Sequence, residues 1–110
     1  MLLRPHLLAL LAREEAHGYH LYDCLMERGF DPERLDSSVV YRDLREMEDK
    51  GLIDSRWDDD SMGPRRRVYH ILPEGRKCLE DIVLDLQEIS RRVDRLVGEV
   101  ESLSEDEVTR

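Results

Sequence analysis

Metal ligation is the first chemistry that the residue types of this sequence could support. His17, His20 and Cys24 recur at spacings of three and four residues, which would place them on one face of a helix. Residues 58–60 are three consecutive aspartates, but they lack the spacing and the glycine of a calcium-binding loop. The first set has no fourth ligand and the second is typical of a solvated turn, so we predict neither a metal site nor a cofactor.

Catalysis would require a nucleophile paired with a base, two acids in a cleft or a metal cluster. The sequence offers no convincing set of this kind, and His70 is expected at the surface or in packing. Cys24 and Cys78 form neither a zinc knuckle nor a disulfide framework, so reduced thiols are expected. The protein is therefore predicted not to be an enzyme.

Recognition of nucleic acid is the second chemistry, and it depends on a predicted helix that ends near Lys50. On a wheel of about 100° per residue, this helix has a narrow apolar stripe of Val40, Leu44 and Met47. The predicted DNA contacts are hydroxyl and guanidinium side chains at its start and on its opposite face: Ser37, Ser38, Tyr41, Arg42 and Arg45. Arginines pair with guanine edges or phosphates, and hydroxyl groups donate to phosphate oxygens. An ordinary surface helix with solvated charges is the alternative.

A run of three arginines strengthens the nucleic-acid interpretation. Arg65, Arg66 and Arg67 lie at the turn of a predicted hairpin, where a wing would meet neighbouring phosphates. The alternative is a solvated turn in which the aspartates of residues 58–60 balance the arginines. Both interpretations can hold at once.

The C-terminal segment carries a heptad pattern of apolar residues. Eight apolar positions alternate spacings of three and four: Leu79, Ile82, Leu86, Ile89, Val93, Leu96, Val100 and Leu103. Such a stripe requires a partner helix. A helix of about 30 residues is about 45 Å long, which exceeds what a small domain can cover. We therefore predict a homodimer, with packing inside one chain as the alternative.

These groups must be positioned by helices and strands whose boundaries are marked by caps and turn residues. The predicted order is helix 2–13, a break at 14–17, helix 18–29, helix 36–50, strand 52–57, strand 67–72 and a long helix from 73–76 to near Leu103. Asp36, Ser37 or Ser38 can cap the third helix. The order is that of a winged helix-turn-helix, a mainly helical α+β fold. Residues 1–73 would bind DNA, and residues 74–110 would form the dimerisation helix and a short tail.

Length and charge set limits on this interpretation. The chain has 110 residues, which suffice for one modest core. Its apolar N-terminal stretch is too short and too charged for a membrane span, so we expect a cytoplasmic protein without a membrane partner. The net charge of −9 argues against DNA binding, although over half of the excess lies beyond residue 73. The alternative function is thus a winged-helix module that binds proteins without sequence-specific DNA binding.

The sequence resembles the PadR family of transcriptional regulators over nearly its whole length. The resemblance rests on these segments: His17-Gly18-Tyr19, Val40-Tyr41-Arg42-Asp43-Leu44-Arg45-Glu46-Met47-Glu48, Gly51-Leu52-Ile53, Gly63-Pro64-Arg65-Arg66-Arg67-Val68-Tyr69 and Glu74-Gly75. It implies a compact member with one terminal helix, a dimer that binds operator DNA and represses transcription, and release by a small molecule, a stress signal or a protein partner. It also implies that Tyr41 lies near the DNA backbone and that the three arginines lie on the wing.

Two departures from the family pattern limit what the resemblance carries over. Many members have Gly-Thr before the aliphatic-Tyr pair and proline after it, whereas Ser38-Val39 and Arg42 stand at those places here. The target sequence is therefore not implied. Some compact members bind planar drugs between tryptophans of their terminal helices, but Trp57 lies in the first predicted wing strand. That mode of ligand binding is not carried over.

Overall fold

The computed structural model describes residues 2–59 and 63–108, with side chains as far as residue 104. The elements in that part of the chain are α1 Leu3–Arg13, β1 Ala16–His17, α2 Gly18–Glu27, α3 Ser37–Asp49, β2 Ile53–Asp58, β3 Arg66–Ile71 and α4 Pro73–Val108. The predicted winged helix-turn-helix with a long C-terminal helix is confirmed. Asp60 of the aspartate run and the last two residues of the predicted tail lie outside the described residues.

The chain divides into two compact units, Met1–Leu79 and Glu80–Arg110. The first unit contains the apolar core, whose largest fully buried side chains are Leu7, Leu8, Leu21, Leu25, Leu35, Val40, Leu44, Met47 and Ile53. The stripe predicted for the third helix is therefore confirmed. Removal of each such side chain from water stabilises the fold by about 1.5–3 kcal/mol. Burial of the apolar stripe therefore orients α3.

Helix α3 has well-defined ends. The Asp36 side chain accepts hydrogen bonds from the backbone N–H groups of Ser38, at 2.8 Å, and Val39, at 3.3 Å. Of the three possible caps, Asp36 is therefore the one used. Hydrogen bonds lower the pKa of Asp36. The largest effect comes from the Ser38 hydroxyl, and smaller ones come from the two backbone amides. At the other end Gly51 adopts a φ of 75°, which glycine tolerates and other residues rarely adopt.

The sheet is antiparallel, with the strand order β1-β3-β2. The predicted hairpin is formed by β2 and β3, in a register that pairs Trp57 with Arg67. The break predicted for residues 14–17 was wrong in part, because Ala16 and His17 pair with Tyr69 and Val68 as a third strand. A two-residue strand has no periodicity that could indicate it, and its pairing depends on the packing around β3.

The second unit consists of helix α4 from Glu80 onward. Its large apolar side chains that are exposed in the single chain are Val83, Leu84, Ile89, Val93, Leu96, Val97, Val100 and Leu103. Five of these belong to the predicted heptad stripe. In the described part of the chain, no helix is long and apolar enough to span a membrane.

Candidate nucleic-acid interface

The outward face of α3 carries four of the predicted DNA contacts. Burial of Val40, Leu44 and Met47 leaves Ser38, Tyr41, Arg42 and Arg45 exposed on the other side of the helix. Within the described residues, neither the Arg42 nor the Arg45 guanidinium forms a hydrogen bond or an ion pair. Both cations are thus available to an external anion.

Tyr41 is held in place by a glycine on another helix. Its ring lies so close to Gly18, the first residue of α2, that a Cβ on residue 18 would overlap the ring. This close approach gives the His17-Gly18-Tyr19 segment a physical role, since glycine alone leaves room for the ring. The phenol group consequently packs against residue 18 and remains partly exposed.

Two acids on the flank of α3 are bound by an arginine of α1. Arg4 donates from Nε to Asp43 Oδ1 at 3.1 Å and from Nη2 to Glu46 Oε2 at 3.0 Å. The hydrogen bond with Asp43 is the largest cause that raises the pKa of Arg4. Both acids lie beside the exposed face of α3, and Arg4 partly neutralises them.

The arginine run lies just after the turn of the hairpin and in the first residues of β3. Arg65 pairs with Asp59 at 3.0 Å, so the predicted balance between arginines and aspartates is present for that pair. Arg67 Nη1 donates to Ser55 Oγ at 2.9 Å, and the same hydroxyl donates to Glu48. This chain of hydrogen bonds ties the hairpin to the end of α3.

A groove of about 660 Å³ brings Tyr41 and the three wing arginines together. Its lining residues come from α2, α3 and the hairpin with the segments beside them: His17, Gly18, Tyr19, Tyr41, Trp57, Arg65, Arg66, Arg67 and Tyr69. Burial, and then the charge of Glu48, raises the pKa of Tyr69. The groove therefore combines three guanidinium groups with aromatic side chains.

The remaining predicted contacts lie around this groove in different directions. Arg45 lines a neighbouring recess of about 370 Å³ together with Tyr41 and Arg67, but Glu48 and Asp49 line it as well. Arg42 lies on the other flank of α3, in a recess that also contains Arg4. Ser37 and Ser38 are exposed at the start of α3. The structure thus joins Tyr41, Arg45 and the wing, and it separates Arg42 from them.

Two aromatic residues at the groove were not identified from the sequence. Tyr19 was noted only as part of the family resemblance, and Trp57 only as a strand residue. In the structure Arg66 lies over the Tyr19 ring, while Arg65 and Arg67 lie over the Trp57 ring. Trp57 lies opposite Arg67 in the β2–β3 hairpin. This pairing could not be predicted from the sequence, because the strand register depends on the length of the turn.

The candidate metal ligands lie on two elements, His17 on β1 and His20 and Cys24 on α2. His17 Nε2 lies 2.9 Å from Asp58 Oδ2, whereas the His20 Nε2 atom lies 3.6 Å from Cys24 Sγ. Among the residues that the structure describes, no group of three or more histidine, cysteine or acidic side chains could hold a metal ion. Asp60 is outside that part of the chain.

Comparison with known families identifies the type of protein. The model of the transcriptional regulator PadR-like family matches residues 7–81. The chain belongs to the PadR family. It is thus a transcriptional regulator and not an enzyme. The transcriptional regulator Rv3488 of Mycobacterium tuberculosis is 34% identical over 92 residues, which cover 82% of this chain and 80% of that protein.

Solved structures of PadR proteins share the fold described above. A PadR-like transcriptional regulator of Bacillus cereus is 29% identical, with a TM-score of 0.76 over 87% of this chain and 91% of its own. Bacillus subtilis PadR, crystallised in complex with operator DNA, is 21% identical, with a TM-score of 0.65. That match covers 76% of this chain and 47% of the B. subtilis chain, and it shows a common fold.

Proposed function

We propose that this PadR-family protein is a cytoplasmic homodimeric repressor that binds operator DNA and is released by a small-molecule or stress effector. Residues 1–73 would contact double-stranded DNA, and residues 74–110 would pair with a second copy. The proposed DNA contacts are Ser37, Ser38, Tyr41, Arg42, Arg45, Arg65, Arg66 and Arg67.

The observation that carries the proposal is the groove shared by Tyr41 and the wing arginines. Three guanidinium groups and the Tyr41 phenol lie together at an exposed surface. Guanidinium groups pair with phosphate through two parallel hydrogen bonds, and phenol groups donate to phosphate oxygens. A helix in the major groove with a wing on the adjacent backbone requires cations on both elements, and Arg45 and Arg67 supply one each beside Tyr41.

A relative with the same fold supports this assignment. Bacillus subtilis PadR was crystallised with operator DNA, and its fold matches 76% of this chain. The net charge of −9 opposes DNA binding at long range, but Arg4 pairs with two of the acids beside the exposed face of α3. Phosphate contacts form over a few ångströms and are screened beyond about 10 Å at 0.1 M salt, so the local charge decides them.

Helix α4 supports the proposed dimer. The proposed dimer contacts are Leu79, Ile82, Leu86, Ile89, Val93, Leu96, Val100 and Leu103. Leu79, Ile82 and Leu86 are half-buried in the single chain, and the five that follow are exposed in it. A continuous apolar stripe of this length on one helix is the pattern that a second helix covers in a coiled coil.

A gel-shift titration on the DNA upstream of the protein's own gene tests the proposal. We expect selective binding by a dimer that weakens as salt increases, with scrambled DNA of the same composition as the control. Arg45→Ala should cost about 1–3 kcal/mol of binding free energy if Arg45 contacts a base. Arg34→Ala serves as the matched control, because this side chain is 88% exposed in the α2–α3 connection.

The alternative is a winged-helix module that binds a protein partner. The presence of Glu48 and Asp49 in the recess of Arg45 and Tyr41 favours this alternative, because two carboxylates there oppose an incoming phosphate. Absence of selective DNA binding at both low and moderate salt would support it. Selective binding that is lost in Arg45→Ala and kept in Arg34→Ala would exclude it as the main function.

A further inference from the structure

The guanidinium groups of the wing stack on two exposed aromatic rings. The Cζ atoms of Arg65 and Arg67 lie 5.2 and 4.6 Å from the centre of the Trp57 ring. The Cζ atom of Arg66 lies 4.6 Å from the centre of the Tyr19 ring. All three distances are within the range of about 6 Å in which a cation is attracted to the face of an aromatic ring.

Neither ring belongs to the apolar core. Trp57 is 46% exposed and Tyr19 is 45% exposed, although both are large apolar side chains. Each ring lies beneath one or two of the wing arginines at the surface of the protein. The stacking therefore gives each ring a structural partner outside the core.

Both rings lie on regular elements of the fold. Trp57 lies on β2, where it is the cross-strand partner of Arg67. Tyr19 lies in the first turn of α2 and stacks on His17, whose Nε2 atom is 2.9 Å from Asp58. The rings consequently offer a surface on which the guanidinium groups pack, in addition to the pairing of Arg65 with Asp59 and of Arg67 with Ser55.

We infer that Tyr19 and Trp57 are positioning residues that hold the wing arginines ready for phosphate. This inference rests on the proposed DNA-binding function. An arginine side chain loses rotamer freedom when it binds a phosphate, and a guanidinium that is already held loses less. The rings act on DNA affinity through the arginines and do not themselves contact DNA.

The positions of the arginines are tested first without DNA, by NMR of the arginine Nε–Hε groups in the full-length protein. Protons above an aromatic ring are shifted upfield. Trp57→Leu should move the signals of Arg65 and Arg67 downfield and leave that of Arg66 in place. Tyr19→Leu should move the signal of Arg66 downfield and leave those of Arg65 and Arg67 in place. Arg34, a highly exposed arginine, is the control signal. Unchanged wing signals in both variants would overturn the inference.

DNA affinity provides the second test. Trp57→Leu should weaken binding about five- to tenfold, and Trp57→Phe should restore most of it because phenylalanine keeps a ring face. The decisive comparison uses the Arg65→Gln/Arg67→Gln background, in which Trp57→Leu should cause no further loss. A further loss there, or full affinity in Trp57→Leu, would overturn the inference. Circular dichroism checks that each variant is folded.

The two proposals fail in different ways. If the wild-type protein does not bind DNA selectively, the proposed function is wrong, and the positioning role falls with it even where the NMR shifts show that the rings hold the arginines. If the wild-type protein binds selectively but Trp57→Leu and Tyr19→Leu bind equally well, only the positioning role is wrong.

Discussion

The ring of Tyr41 on α3 occupies the space that a Cβ of Gly18 on α2 would require. The contact joins α3 to α2 at the edge of the groove. The atoms that approach Gly18 belong to the far end of the tyrosine side chain, so a substitution at residue 18 would displace the phenol and leave the backbone in place. The position of the Tyr41 hydroxyl therefore depends on a glycine 23 positions earlier in the sequence.

Gly18→Ala should weaken DNA binding with little effect on folding. We expect operator affinity to fall about two- to tenfold, the range of one lost hydrogen bond, and the free energy of unfolding to change by less than about 1 kcal/mol. Gel shifts and urea unfolding measure the two quantities. In a Tyr41→Ala background, Gly18→Ala should have no further effect on affinity. An equal loss in both backgrounds would contradict the role given to the phenol.

Arg4→Ala should destabilise the fold because Asp43 and Glu46 lose their cationic partner. Asp43 is largely buried, and without Arg4 its carboxylate loses its hydrogen-bond donor. We expect a loss of about 1–2 kcal/mol in the free energy of unfolding, measured in urea. The double variant Arg4→Ala/Asp43→Ala should recover part of that loss. A double variant that is less stable than the sum of the two single changes would contradict this account.

The features that could be predicted from the sequence are the local ones. Asp36 and Gly51 mark the ends of α3 by capping and turn geometry, and the apolar stripe between them indicates its buried face. The positions of Tyr19 and Trp57 relative to the arginines could not be predicted, because they depend on strand register and on the packing of α2 beside β1. Strand β1 was missed for the same reason, since it exists only through its pairing with β3.

Stability should depend on pH through His6. Burial, and then the nearby charge of Arg28, lowers the pKa of His6 below its ordinary value of 6.5. The unfolded chain then binds a proton more readily than the folded chain, so stability is present above pH 6.5 and is lost as the pH falls through the lowered pKa. Urea midpoints from pH 7.5 down to 5 should decrease more in the wild type than in His6→Gln. Parallel curves would contradict this expectation.

Asp49→Asn should raise the affinity for DNA without a gain in selectivity. Asp49 lines the recess of Arg45 and Tyr41, where its charge repels phosphate. We expect binding to operator and scrambled DNA to improve equally, about two- to threefold at low salt and less at high salt. Asp85→Asn on α4 removes the same charge outside the recess and is the control. An identical gain in both variants would assign the effect to net charge alone.

Leu96→Glu should separate the proposed dimer. Leu96 is 59% exposed in the single chain and lies in the heptad stripe, so a partner helix would bury the new carboxylate. We expect the dissociation constant, measured by sedimentation, to rise about a hundredfold or more. Leu84→Glu is the matched control, because Leu84 is 64% exposed but lies off the stripe. Dissociation by both variants would indicate an interface wider than one helical seam. Retention of the dimer in Leu96→Glu would place the interface elsewhere on the chain.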